Sequence, residues 1–300
     1  NLLYQLSYQF LLLVLPFITS PYIARVIGAE GLGVYSYSHS IACYFEIVAL
    51  LGIANYGNRL IAQSRDDEEK LNKNFSNLLA LHILISLFVC ICYAVYIRID
   101  VENAYYARLQ WPYIICTIFD VSWFYFGIEE FKTTVTKNFV IKIVTVFLIF
   151  FLVKEKSDLW LYCLIMAFAS LASTTSLWLT LRKYVKFVKP SWDEMKQHLI
   201  PMFILFIPTV ALSIYKYMDK IMIGGLSNKI ELGYYENAEK VSVMAISVIN
   251  AFGTVMLPKM SNMFSRKDDK NALTFISTCS ELIMCLAFAL CFGIASVSTL

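Results

Sequence analysis

The chain has 300 residues, of which 59% are hydrophobic and only 16% are charged, and its formal net charge is +3. This composition is too apolar and too poor in charge for an ordinary soluble domain. The small positive balance forms no clustered basic face, which excludes a nucleic-acid-binding domain of the usual kind.

Nine apolar runs follow one another along the chain, separated by short charged connections. Each run is close to or above the roughly 20 residues that a helix needs to cross a bilayer. None shows the alternation of a barrel strand, and lipid requires backbone polar groups to be paired internally. The sequence therefore predicts an all-α polytopic membrane protein with spans near 3–27, 35–57, 75–97, 105–128, 133–153, 158–181, 199–225, 238–257 and 272–296.

The distribution of lysine and arginine predicts the orientation. Most of these residues lie in the connections after the even-numbered spans, for example Arg65, Lys132, Arg182 and Lys259. Connections rich in positive charge remain on the cytoplasmic side of a membrane. We therefore expect the even connections and the N-terminus to be cytoplasmic.

An internal repeat appears at an offset near 200 residues. The segment Gly-Val-Tyr at 33–35 corresponds to Gly-Tyr-Tyr at 233–235, and residues 22–28 match 217–224 at an offset of 195 to 196. Six spans separate the two units, so both have the same orientation, as in two-lobed transporters. The repeat predicts two six-helix lobes, an N-terminal lobe at 1–190 and an incomplete second lobe at 191–300. Nine helices are then present and twelve are expected.

Four charged residues lie deep inside predicted spans, where each charge costs about 2.5–3.5 kcal/mol or more and marks a candidate functional site. Glu46 lies in the second span, Asp120 in the fourth, Lys142 in the fifth and Glu281 in the ninth. We expect them to line a wet cavity; the alternative is a structural pair between Asp120 and Lys142.

A second group of charges lies near the outer end of the seventh span. Lys216, Asp219 and Lys220 have the spacing that places them on one helix face. The repeat places Arg25 opposite Lys220, so the two residues are candidates for a symmetric clamp on an anionic group such as a lipid diphosphate. Snorkelling of these side chains to the membrane interface is the alternative.

Motifs for other chemistry are absent from the sequence. It contains no nucleotide-binding loop and no metalloprotease or serine-hydrolase signature. Its three histidines are dispersed, so we expect no metal and no cofactor. A membrane enzyme would need catalytic histidines or clustered acids at one interface together with larger loops, and we expect a non-enzyme.

Several motifs carry a resemblance to a known family. The opening segment and the run from Asp120 to Lys132 resemble the Wzx-type oligosaccharide flippases of the multidrug/oligosaccharidyl-lipid/polysaccharide exporter superfamily. The opening segment comprises Leu15–Gly28 and Gly31–Ser36, and the segments that resemble the second half of the family are Asp219–Gly224, Gly233–Ala238 and Leu257–Ser261.

The resemblance implies a flippase in the bacterial cytoplasmic membrane. Such proteins move undecaprenyl-diphosphate-linked oligosaccharides to the outer leaflet by alternating access, for O-antigen or capsule, and would work beside a polymerase and other assembly proteins. It implies substrate contacts at Arg25, Asp219 and Lys220. Membrane depth and helix-face spacing, rather than the resemblance, add Lys142 and Lys216, with Glu46 and Asp120 as coupling-ion candidates. An ion-coupled multidrug exporter of the same superfamily is the alternative.

Overall fold

The computed structural model describes residues 15, 18–99, 104–265 and 269–297, and all of its regular structure in these ranges is helical. The helices are α1 (18–26), α2 (Gly28–Leu50), α3 (Ile53–Ser64), α4 (Glu68–Ile99), α5 (Ala104–Leu109), α6 (Trp111–Ile118), α7 (Ser122–Gly127), α8 (Phe131–Leu152), α9 (Leu159–Leu181), α10 (Trp192–Leu226), α11 (Lys229–Ser265) and α12 (Asp269–Val297). The predicted all-α class is confirmed.

Within these ranges, six segments are long and apolar enough to cross a membrane: Gly28–Ser64, Glu68–Ile99, Phe131–Leu152, Lys156–Leu181, Trp192–Leu226 and Phe275–Ser296. The order of the predicted spans is kept, but two of them are not single helices. The second is divided into α2 and α3, and the fourth consists of α5, α6 and α7. Part of the first predicted span lies outside the described residues.

The break between α2 and α3 has a steric cause. Leu51 and Gly52 both have left-handed backbone angles, with φ of 40° and 75°. A Cβ atom on Gly52 would lie 2.6 Å from the carbonyl oxygen of Met202 and 2.9 Å from the amide nitrogen of Phe206. The glycine therefore permits both the turn and the close approach of α10, since a side chain would prevent both.

Side chains satisfy the backbone at the break between α6 and α7. Asp120 was expected within a helix, but it lies at this break, and its carboxylate accepts a 2.8 Å hydrogen bond from the amide of Ser122. The indole of Trp178 donates to the carbonyl of Phe119 at 2.8 Å. Non-helical backbone at membrane depth requires such partners, because water is absent there.

The described residues form two compact units, Asn1–Glu236 and Asn237–Leu300. The first unit contains three buried clusters. One surrounds Phe75 and Trp123 between α3, α4 and α7, the second joins α2 to α8 and α9 through Tyr35, and the third packs α2 and α4 against α5 and α6 around Tyr93. In the second unit, α12 exposes apolar side chains such as Phe288 and Phe292. The lobe boundary at 190 stays a prediction.

The segment 182–191 between α9 and α10 is fixed to the side of α4. The amides of Lys186, Val188 and Ser191 donate to the side-chain oxygens of Asn72, Ser76 and Asn77 at 2.8–2.9 Å. The Lys186 ammonium also lies 2.8 Å from the carboxylate of Glu68, and this bond raises the pKa of Lys186. An irregular connection is thereby held in one path into α10.

Candidate functional site

A cavity of about 440 Å³ lies in the first unit, between α1, α2, α6, α8 and α9. Its size falls within the range of about 300–1,000 Å³ that is usual for small-molecule sites. Lys142 carries the one formal charge among the lining residues that the structure describes. The polar members of the lining are Thr19, Tyr35, His39, Gln110, Tyr113, Asn138, Lys142, Thr145, Ser170 and Ser173.

Three rings form one wall of this cavity. Tyr35 stacks on His39 with ring centroids 5.2 Å apart, and the rings of Tyr113 and His39 meet edge-on at 4.8 Å. The sulfur of Cys43 lies 3.6 Å from Nε2 of His39 and 3.8 Å from the hydroxyl of Tyr113. These contacts fix the ring orientations, so the wall is preformed.

A second part of the lining belongs to α8 and α9. Asn138 accepts a hydrogen bond from the hydroxyl of Ser173, which joins the two helices beside the cavity. Lys142, one helical turn further along α8, is exposed, and within the described residues its ammonium group has no ion pair. A lone cation among amides and hydroxyls suits a polar ligand with an anionic group.

Lys137 provides a contrast to Lys142 on the same helix. Its ammonium donates to the carbonyl of Ser176 at 2.6 Å and to the hydroxyl of Thr180 at 2.9 Å. Both acceptors belong to α9, so Lys137 joins α8 to α9. The two lysines therefore lie in different surroundings, although the sequence places both in one apolar run.

The two acidic candidates lie in different surroundings. Glu46 is on α2, beside the phenol of Tyr113 that also lines the cavity. Asp120 lies at the helix break already described, where its carboxylate is engaged by the amide of Ser122. No hydrogen bond or ion pair between Asp120 and Lys142 occurs in the part of the chain that the structure describes, so the structure does not contain the alternative pairing.

The charges near the end of α10 turn toward α11. The carboxylate of Asp219 accepts a 3.0 Å hydrogen bond from the hydroxyl of Tyr235, and the ammonium of Lys220 lies 2.8 Å from Oε2 of Glu236. Lys216 is exposed on the same helix. The predicted common face is therefore present, and two of its three residues already have partners on α11.

Arg25 lies on α1 and is exposed. Among the described residues it forms no ion pair, in contrast to Lys220, which the repeat places opposite it. The structure thus does not bring Arg25 and Lys220 into equivalent surroundings.

Sequence reasoning missed Glu236 and Ser36, as well as most of the cavity lining. The hydroxyl of Ser36 donates to Oε2 of Glu236 at 2.6 Å, which joins α2 to α11 through a buried polar contact. The repeat offset of 200 residues places these two positions opposite each other, and this was the available signal. No group of three or more metal-binding side chains lies within the described ranges.

The fold and the cavity define a polytopic α-helical membrane protein whose described part contains a polar cavity lined by one charged residue. Residues 1–264 match the family described as Polysaccharide biosynthesis protein, and the chain belongs to this family. The resemblance inferred from the motifs is confirmed.

Two curated relatives support the assignment. The chain is 22% identical over 254 residues to the "Putative O-antigen transporter" of Escherichia coli (strain K12). The aligned region covers 83% of this chain and 61% of that protein. It is also 22% identical over 272 residues to the protein of the same name from Shigella dysenteriae, with 83% and 63% covered. The chain thus spans about three fifths of the length of these relatives. No solved structure matches.

Proposed function

We propose that this protein moves lipid-linked oligosaccharide units, carried on undecaprenyl diphosphate, from the cytoplasmic to the outer leaflet by alternating access. The polymer served is O-antigen or capsule, and the location is the bacterial cytoplasmic membrane with a cytoplasmic N-terminus. Family membership and the names of the two relatives support a transporter of O-antigen type.

The observation that carries the proposal is the cavity around Lys142. Its amides and hydroxyls can exchange hydrogen bonds with sugar hydroxyls, and Lys142 can balance an anionic group of the head. A head group that crosses through such a cavity avoids direct transfer of polar groups through hydrocarbon. The lipid tail stays in the bilayer meanwhile.

The remaining charged candidates have subordinate roles in this proposal. Arg25, Lys216, Asp219 and Lys220 contact the diphosphate or sugar near the outer ends of the helices. Glu46 and Asp120 bind the coupling ion. The protein works beside a polymerase and other assembly proteins, and it is not an enzyme.

A multidrug exporter is the alternative function. Cationic drugs favour a cavity dominated by acids, but the charged lining residue found in the described cavity is a lysine. The experiment is to deplete the intact protein in cells, to quantify lipid-linked oligosaccharide in each leaflet, and to record efflux of a cationic dye in parallel.

We expect the oligosaccharide to accumulate on the cytoplasmic side while dye efflux is unchanged. Complementation with Lys142→Gln should restore little transport, because the charge in the cavity is lost. Lys154→Gln, at an exposed position after α8, is the matched control and should restore it fully. A normal leaflet distribution together with lost dye efflux would establish the drug exporter instead.

A further inference from the structure

The N-terminal parts of α2 and α11 approach each other at two glycines that are 200 residues apart, Gly33 and Gly233. A Cβ atom on Gly33 would overlap the carbonyl oxygen of Lys229, and one on Gly233 would overlap that of Ala29. Ala29 and Lys229 each lie four residues before the glycine of their own helix. The contact is therefore reciprocal, as it is across a two-fold axis. We call this crossing the glycine seam.

A polar contact lies beside the glycine seam, three residues after each glycine. Oε2 of Glu236 accepts hydrogen bonds from the hydroxyl of Ser36 at 2.6 Å and from the ammonium of Lys220 at 2.8 Å. The side chains of Lys220 and Glu236 are only 14% and 10% exposed. One carboxylate oxygen thus joins α2, α10 and α11 at the end of these helices that is predicted to face outward.

This polar contact breaks the symmetry of the seam. The repeat places Arg25 opposite Lys220, whereas Ser36 stands opposite Glu236. A hydroxyl cannot neutralise Arg25 as the carboxylate neutralises Lys220. Among the described residues the two halves therefore share the steric crossing, and the ion pair is found on the Lys220 side.

We propose that Lys220 is a binding site for an anionic phosphate or carboxylate group, and that Glu236 occupies this site while the glycine seam is closed. Binding of the ligand displaces Glu236 from Lys220, weakens its bond to Ser36, and so opens the seam. This inference rests on the proposed function, because the anion belongs to the carried molecule.

Charge balance explains why exchange is the favourable route. Separation of a largely buried ion pair is strongly unfavourable, because each charge loses a partner that offsets its desolvation. When an external anion takes the place of Glu236, Lys220 stays neutralised and the freed carboxylate can turn to water. Opening is then coupled to the presence of ligand, since the ligand has a higher affinity for the open state.

The distance across the seam tests this directly. Glu30 and Ile230 are exposed and flank the two glycines, so spin labels can be attached there through unnatural amino acids, which leaves the eight cysteines in place. Distances are recorded on the intact protein in phosphatidylcholine nanodiscs. Inorganic diphosphate and glucuronate are added separately as probes.

We expect diphosphate or glucuronate to shift the wild-type protein toward the longer distance. Glu236→Gln should populate that distance without a probe and bind the active probe about tenfold more tightly, because no resident carboxylate competes. Lys220→Gln should lose the response to the probe. Glu231→Gln, which removes an exposed acid five residues earlier on α11, is the matched control and should behave as the wild type.

The two probes distinguish the source of the anion. A response to diphosphate alone assigns the site to the lipid head, and a response to glucuronate alone assigns it to an acidic sugar. No response to either, or a Glu236→Gln variant with wild-type distances and affinity, overturns the proposal. If Glu236→Gln does not fold, Ser36→Ala replaces it, and an unchanged distance in that variant overturns the proposal equally.

Failure of this inference differs from failure of the proposed function. Normal flipping with a seam that does not respond to anions rejects only the site at Lys220. A responsive seam in a protein that flips no oligosaccharide rejects only the transport of lipid-linked sugars.

Discussion

The phenol oxygen of Tyr56 lies 2.7 Å from Nδ1 of His198, and this bond joins α3 to the first half of α10. The two rings also touch, with centroids 5.6 Å apart. The hydrogen bond and the close contact at Gly52 together hold α10 along α2 and α3.

Removal of this hydroxyl should destabilise the first unit. Tyr56→Phe keeps the ring contact but leaves a nitrogen of the 9% exposed His198 without its partner, which costs about 1–3 kcal/mol. Thermal unfolding in detergent measures the change. Tyr105→Phe, at a 56% exposed ring, should differ from the wild type by less than about 0.5 kcal/mol. Equal changes in the free energy of unfolding for the two variants would show that the hydrogen bond between Tyr56 and His198 does not contribute to stability.

A side chain at the glycine seam should keep its two helices apart. Gly33→Ala and Gly233→Ala each place a methyl group against a carbonyl oxygen, so both variants should show the long spin-label distance in the absence of a probe. Gly225→Ala is the control, because its new methyl group would lie in ordinary contact with Tyr37, 3.9 Å from the hydroxyl and 4.0 Å from a ring carbon. A short distance in all three variants would contradict the reciprocal crossing.

Loss of the Asn77 side chain should free the connection between α9 and α10. Asn77 accepts from the amide of Ser191 at 2.8 Å and donates to Glu194 at 2.7 Å. Loss of both bonds, each worth about 1 kcal/mol, should make trypsin cut after Lys186 at least roughly tenfold faster. Glu69→Ala, on the exposed side of the same helix, should leave the cleavage rate unchanged. Identical rates in both variants would mean that the segment is held elsewhere.

The two lysines of α8 should separate stability from transport. Lys137→Met removes two charge-assisted hydrogen bonds to α9 and should lower the stability by about 1.5 kcal/mol or more. Lys142→Met should leave the melting temperature unchanged yet impair transport. If both variants melt at the wild-type temperature, Lys137 is not a structural residue.

Truncation of Trp123 should be among the most damaging core changes. Its ring is 1% exposed and packs on Phe75, and a Cβ atom on Gly57 would come within 2.6 Å of it. Trp123→Ala should cost roughly 3–5 kcal/mol, as for other buried aromatic rings. Trp160→Ala, at a 42% exposed position, should cost far less. Unfolding followed by size-exclusion chromatography compares the two variants.

The sequence predicted the helical class and the order of the spans because apolar runs are long and continuous. It did not predict the break at Leu51 and Gly52, since hydropathy averages over a glycine whose conformation is set by α10. The sequence also placed Asp120 inside a helix, because apolar residues continue on both sides of the break between α6 and α7. The partner of Lys220 was also missed, because a repeat compares similar residues and Ser36 and Glu236 are dissimilar.

Most of the cavity was likewise invisible in the sequence. Lys142 was identified by its depth, since a charge in an apolar run is conspicuous. Gln110, Asn138 and Ser173 are ordinary polar residues of membrane helices, and only the packing of α6, α8 and α9 brings them together. Their function depends on position rather than on residue type.

Gly33 and Gly233 touch through their main chains, and this has a thermodynamic consequence. Separation of such surfaces uncovers peptide groups that water can solvate, whereas each large aliphatic side chain uncovered would cost about 1.5–3 kcal/mol. A contact of this kind requires close shape complementarity, but little free energy is needed to break it. A joint of this kind can open and reclose at low cost in free energy, as the proposed exchange at Lys220 requires.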